Sequence, residues 1–276
     1  MCNVRGRSET TNKSDRIDAD WVSEQLRLGA LRSVYHGSSV ATLKELVRCY
    51  MNLVEDSTRV MLRVKVIYRG RAIGKDGEAV YRPSQRGAWL AKLKAPGLRA
   101  RAESLFKQLD KLLELRSKAR AAMVAEARRQ PGWKILMSVP FFGPVRVALL
   151  LAIIATPFRF RGKRQLWSHV GLAVVTRSSA DQEIVDGKLR WRKRAPLTRG
   201  LNRNHNRVLK NAFKGAANAA AAKAGPLEDF YDRCVAGGVR EEMAKLTLAR
   251  KLAAVVLRVW KKGEHWDPAK LTMQAT

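Results

Sequence analysis

One periodicity constrains this chain more than any other feature. Leu98, Ala102, Leu105, Leu109 and Leu112, then Ala119 and Met123, recur at steps of four and three. Those steps stack side chains on one face of a long helix. Arg116 breaks the series at a core position, and Pro131-Gly132 ends it. The stretch 91–131 therefore reads as a coiled-coil or helical-hairpin arm. A helix packed into a globular core would carry the same spacing.

The rest of the chain is also largely helical in pattern. Ile17, Val22 and Leu26 mark a helix from about Asp15 to Leu28, with Gly29 as its stop. Leu43, Leu46, Val47, Tyr50, Met51 and Val54 mark a second one, from near Ser39 or Thr42 toward Val66. YRGRAIGKDGEAVYRPSQRG, Tyr68 to Gly87, is dense in Gly and charge and reads as a loop. Gly143-Pro144 opens a turn. That turn either presents backbone N–H groups to phosphate or simply starts a helix. The longest apolar run, Ala148 to Phe158, is too short to span a membrane and reads as a buried helix. QEIV-DG-KLRW reads as a β-hairpin, because Asp-Gly is the preferred type I′ turn. Leu246, Leu248, Leu252, Val255, Val256 and Trp260 line a last amphipathic helix.

Charge narrows the partner. The chain carries 54 Lys+Arg against 24 Asp+Glu, a formal net charge of +30. With 46% hydrophobic residues it also has material for a core, so the excess belongs to a folded surface. Such a surface calls for a polyanion, with nucleic acid first. Solubility through self-repulsion, or a ribosomal-type structural role, is the alternative. Between Arg159 and Lys214 lie fifteen basic residues and three acids. Arg164, Arg190, Arg192, Lys193, Arg194, Arg203, Arg207 and Lys210 are the candidate nucleic-acid contacts. Trp191 stands among them and could stack on a base or simply pack. Cys2, Cys49 and Cys234 form no paired framework and no zinc signature. With a polar N-terminus that lacks a secretory pattern, they suggest a cytoplasmic, nucleoid-associated protein.

Against this basic background, KSDRIDAD gathers Asp15, Asp18 and Asp20. On a helix, Asp15 and Asp18 share a face, with Cβ atoms about 5–6 Å apart. A divalent cation would relieve their repulsion. A favourable charge near a helix N-terminus would account for Asp15 equally well. Asp20 points elsewhere and reads as a solvated charge.

KSDRIDADWVSEQLRLGAL resembles a segment of the insertion-sequence-110 family of transposases. There a Lys-[Ser/Thr]-Asp-x-x-Asp-Ala stretch supplies the last two acids of a DEDD site in a RuvC-like domain, and Asp15 and Asp18 match them. SVPFFGPVRVALLLAIIATPFRFRGKRQLWSHVGLAVVTRSSAD is similar to the opening of that family's C-terminal domain, and LNRNHNRVLKNAFKGAA to its Asn/Arg-rich stretch. The resemblance covers nearly the whole chain in order. It implies Mg2+ on the carboxylates and a serine nucleophile that forms a serine–DNA intermediate. It also implies DNA partners (element ends and target), a structured guide RNA, and a dimer or higher oligomer through the arm. Aligned on Gly171-Leu172, the nucleophile falls on Ser179, with Ser178 beside it. Ala180 stands where the family has glycine, and Phe141-Phe142 replace its usual Gly-x.

The expected fold is mainly α. Residues 1–90 would be a remnant of the RuvC-like domain with linker helices, 91–131 the arm, and 132–276 an α-rich C-terminal domain with a short β-hairpin. The family's first Asp and its Glu precede the KSDRIDA stretch, and here fourteen residues precede Asp15. This implies a truncated chain, a mobile N-terminal region and weak Mg2+ binding by two carboxylates alone. Two functions stay open: a transposase, or a catalytically dead remnant that binds element DNA or guide RNA.

Overall fold

The computed structural model describes residues 15–30, 40–74, 78–177, 182–185, 188–191 and 197–272. Residues 1–39 form one compact unit and 40–276 another. The fold is mainly α, as the periodicities predict.

In the first unit, helix α1 spans Asp15–Arg27. Gly29 follows it with φ +63°, a left-handed conformation that glycine adopts at least cost. Arg27 donates two hydrogen bonds to Glu24, at 2.7 and 2.8 Å, one turn back. Val22 and Leu26 are exposed.

The second unit begins with two long helices, α2 (Ala41–Arg69) and α4 (Pro96–Arg128). They pack against each other as a hairpin. The four-three pattern is legible in the result: Ala102, Leu109 and Met123 are fully buried, joined by Phe106 and Ala127. Arg116 sits where the apolar seam breaks. Its Nη1 donates to Oγ of the fully buried Ser57 at 3.3 Å, and Ser57 donates on to the carbonyl of Val54 at 2.9 Å. The break divides the hairpin into two cores. Leu43, Val47, Met123 and Ala127 belong to the main core with the C-terminal helices. Val60, Val64, Ile67, Ala102, Phe106 and Leu109 form a separate core toward the tip.

The tip corrects the reading of Tyr68–Gly87 as loop. Two short 3-10 turns, Ala79–Tyr81 and Pro83–Gln85, lead into helix α3 (Arg86–Ala91). Val80, Tyr81 and Trp89 from this cap are buried in the tip core. Trp89 meets the fully buried Tyr68 edge to face, with ring centroids 5.3 Å apart. Tyr81 donates its hydroxyl to the carbonyl of Met61 at 2.9 Å, and burial pushes its pKa up to about 12. Arg86 clamps Asp110 of α4 with two bonds of 2.6 and 2.7 Å while lying on the ring of Phe106. Val80 and Tyr81, with Trp89 and Leu93 just beyond, pack the tip, and the glycines and charges around the first two hid that in the sequence.

After α4 the chain turns tightly at Gly132. A Cβ there would stand 2.5 Å from Nε1 of Trp260. Helices α5 (Trp133–Met137), α6 (Pro144–Ile154) and α7 (Lys163–His169) follow. α6 is almost wholly buried, as its apolar run predicts. At its start the Gly143-Pro144 turn is closed from within. Arg146 donates to the carbonyl of Phe141 at 2.8 Å, and its guanidinium lies against Gly215, where a Cβ would come within 2.9 Å. Four strands come next: β1 (Val174–Arg177), β2 (Gln182–Val185), β3 (Lys188–Trp191) and β4 (Leu197–Leu201). β2 and β3 pair antiparallel with Gln182 opposite Trp191 and Val185 opposite Lys188, the hairpin expected from the Asp-Gly turn. β1 pairs with β4, a second ribbon that the sequence reading missed. Helices α8 (Arg207–Ala220), α9 (Pro226–Ala236), α10 (Glu241–Lys262) and α11 (Ala269–Thr272) complete the unit. Ala212, Ala216, Ala217 and Ala220 bring α8 close to α10, which runs through the main core.

Candidate nucleic-acid interface

The basic loop after β4 is seated on a preformed platform at the end of α7. The backbone N–H groups of Leu172 and Ala173 both donate to the carbonyl of Trp167, at 2.8 and 3.1 Å. Arg250 of α10 donates Nε to the carbonyl of Leu172 at 2.7 Å, and Trp167 returns a bond from Nε1 to the carbonyl of Arg250 at 3.0 Å. Asn202 then ties the loop down. Its N–H reaches the carbonyl of Ala173 at 3.0 Å, and its Nδ2 reaches the carbonyls of Ser168 and Asn204 at 3.1 and 2.9 Å. Asn206 donates its N–H to the carbonyl of His169 at 2.9 Å and caps α8, its Oδ1 accepting from the N–H of Leu209. Asparagine is the natural residue for both tasks, since one side chain can accept and donate.

This platform holds three buried polar atoms without a hydrogen-bond partner among the described residues: Nε2 of His169, Nδ1 of His205 and Nη2 of Arg250. Burial first, and then the charge of Arg159, lower the pKa of His169 to about 4. Burial also lowers that of Arg250. A neutral His169 inside a cationic region avoids the cost of a further buried charge.

The predicted contact residues are distributed around this platform. Arg203 lies in the tethered loop and Arg207 begins α8; both are exposed. Lys210, three residues on, is half-buried on the same helix face. Arg164 is exposed on α7. Arg190 lies on β3, in register with Glu183 of β2. Arg192, Lys193 and Arg194 lie between β3 and β4, outside the described residues. So do Ser178 and Ser179, which fall between β1 and β2. Asp15 and Asp18 share the first turn of α1, and Asp18 is exposed. Among the described residues no group of three or more His, Cys, Asp or Glu side chains converges as metal ligands.

Sequence reasoning overlooked a set of cations on α7, α9 and α10. Lys163 lies over the ring of Trp167, Nζ 5.8 Å from its centroid, and Lys251 over Phe230 at 5.5 Å. Only the one-turn spacing of Lys163 and Trp167 was visible beforehand. An open cleft of about 680 Å3 lies further along, lined by Lys214, Asn218, Tyr231, Glu242 and Lys245 among others. No helix among the described residues is long and apolar enough to cross a membrane.

Residues 133–232 match the family model described as the transposase IS116/IS110/IS902 family. An uncharacterised 44.8 kDa protein of insertion element IS116 from Streptomyces clavuligerus is 29% identical over 136 residues. That match spans 49% of this chain and 31% of the relative's length. The segment matched by the family contains α5 to α8, the four strands, most of α9 and the whole of the platform except Arg250. Residues 133–232 are thus similar to the transposase domain of the IS116/IS110/IS902 family.

Proposed function

We propose that the chain serves DNA transposition, with residues 132–276 engaging DNA and offering a serine to it. The single observation behind this reading is the match of residues 133–232 to the transposase family. In this reading Ser179, with Ser178 beside it, is the nucleophile. Its Oγ attacks a DNA phosphodiester, so that an Oγ–P bond replaces a sugar O–P bond. The serine proton ends on the released sugar oxygen. Attack by another strand's hydroxyl reverses the exchange and restores a phosphodiester. A serine hydroxyl is a poor nucleophile at neutral pH, so the step needs activation and charge neutralisation. Exposed Arg164, Arg203 and Arg207 supply positive charge on the same domain.

The remaining roles are parts of the same proposal. Asp15 and Asp18 are the acids this chain offers toward Mg2+, from residues 1–90. Residues 91–131 act as an arm that joins copies of the chain, supported by exposed Leu62, Val66 and Leu115 on the hairpin. A structured guide RNA shares the basic surface with DNA.

The test is a covalent adduct. The chain is incubated with labelled element-end DNA, denatured in detergent and run on a gel. A labelled protein band that Ser179→Ala abolishes and Ser178→Ala preserves supports the reading. A band that survives both substitutions overturns the serine assignment. Salt-sensitive binding without any adduct would favour the second reading, binding without cleavage. That reading rests on the exposed arginines of the platform, which need neither serine to hold a phosphate.

A further inference from the structure

Some cations of this protein are paired with acids and some are gathered with other cations. Along the hairpin several are matched by acids: Arg59 with Glu55 and Asp56, Arg86 with Asp110, Arg99 with Glu103, and Lys111 and Lys118 with Glu114. Where α7, α9 and α10 meet, the pattern is different. Lys163 of α7, Arg233 of α9 and Lys251 of α10 have no acid within ion-pair distance among the described residues. Arg233 donates only to a backbone carbonyl, that of Asp229, at 3.2 Å. Lys251 is half-buried, and its pKa is lowered by burial first and then by the charges of Lys163 and Arg233. Three helices thus hold three positive charges near one another, and none of the three is ion-paired among the described residues.

Two aromatic rings frame the group. Trp167 lies under Lys163 and is fixed by its bond to the carbonyl of Arg250, while Phe230 lies under Lys251. Ring faces hold the amines in place without neutralising them. The helix packing that fixes α7 and α9 on α10 holds the cluster together before any ligand arrives. An anion that meets all three relieves their mutual repulsion, and a rigid cluster loses little entropy in doing so.

We propose that Lys163, Arg233 and Lys251, framed by Trp167 and Phe230, form a contact site for the phosphodiester backbone of a nucleic acid. This rests on the nucleic-acid reading of the transposase domain and adds a second face to it, apart from the tethered loop of Arg203 and Arg207. Arg233 and Lys251 lie beyond the segment that matches the family, so the site joins that segment to the end of α9 and to α10. The contacts are to phosphate, so the site sets affinity and position rather than sequence choice.

The experiment measures binding against salt for the full chain, with a 30-base-pair DNA duplex and, separately, a structured RNA of similar length. Each phosphate contact contributes about 0.9 to the slope of log K against log salt on duplex DNA and about 0.7 on single strands. The triple variant Lys163→Ala, Arg233→Ala, Lys251→Ala should lower the slope by about 2–3 on at least one probe. Which probe responds identifies the source of the phosphates. A matched variant on the hairpin, Arg99→Ala, Lys111→Ala, Lys118→Ala, should leave both slopes unchanged. An unchanged slope in the first variant on both probes overturns the proposal. So does an equal fall in the second, which would mark a response to net charge. Circular dichroism and melting of both variants confirm that the fold is kept. If the unmodified chain binds neither probe, it is the nucleic-acid reading itself that fails.

Discussion

Gly171 and His205 are in contact so close that no other residue fits the pair. A Cβ on Gly171 would stand 2.4 Å from Cγ of His205, and Gly171 adopts φ +72°. The contact seats the loop that carries Arg203 on the end of α7. It makes the Gly-Leu pair after that helix a packing requirement as well as a turn.

Gly171→Ala should therefore destabilise the second unit by about 2–4 kcal/mol, the left-handed strain and the overlap with the imidazole adding together. Urea unfolding monitored by tryptophan fluorescence measures it. A loss below about 0.5 kcal/mol would mean the loop moves aside freely. Nucleic-acid affinity should fall with it, since the same contact positions Arg203 and Arg207.

His169 makes stability depend on acid. Its folded pKa of about 4 lies below the ordinary 6.5, so the unfolded chain binds the extra proton first. Stability is then fully present above about pH 6.5 and is lost progressively as the pH falls toward 4. His169→Gln should flatten this part of the stability curve, and an NMR titration of the imidazole should place its midpoint well below 6. An ordinary midpoint would refute the burial argument.

Trp89 should matter to the hairpin tip alone. Its removal in Trp89→Ala takes away an aromatic side chain that is 5% exposed, at a cost of about 3–5 kcal/mol to that core. Hydrogen exchange should accelerate in the far half of α2 and the first half of α4. It should stay slow in α6 and α10, because Ser57 and Arg116 separate the two cores. Uniform acceleration would show the hairpin to be one cooperative unit.

The separator itself is open to replacement. Ser57→Ala with Arg116→Leu would remove a hydroxyl and a guanidinium together and join the two apolar seams. Replacing both partners of a buried polar pair with apolar groups is commonly neutral or stabilising. The melting temperature should hold or rise, whereas a fall of several degrees would show that the polar contact contributes net stability.

Mg2+ should bind the chain weakly. Asp15 and Asp18 sit one turn apart on a helix, and two carboxylates leave most of the positions around the ion to water. Isothermal titration should find no site tighter than the millimolar range expected of sparse carboxylates. A micromolar site lost in Asp18→Asn would overturn this.

What the sequence determined by itself was whatever depends on local period and composition. The four-three series from Leu98 specified α4, the apolar run specified the buried α6, and Asp186-Gly187 between two apolar strands specified the β2–β3 pair. Charge density pointed to the basic segment after Arg159, and ordered motifs pointed to the family now matched at residues 133–232. Tertiary structure decided whatever depends on which faces meet. The capped tip formed because Val80, Tyr81 and Trp89 find Tyr68 and Phe106 only once α2 and α4 pair. β1 found β4 across the nineteen residues between Arg177 and Leu197, which hold the β2–β3 hairpin and give no local sign of that outer pairing. Lys163, Arg233 and Lys251 were three ordinary cations on three helices, up to 88 positions apart in the chain. Their mutual repulsion exists only because α10 holds α7 and α9 on its sides, and charge, unlike apolar spacing, leaves no trace in sequence of the distance over which it will act.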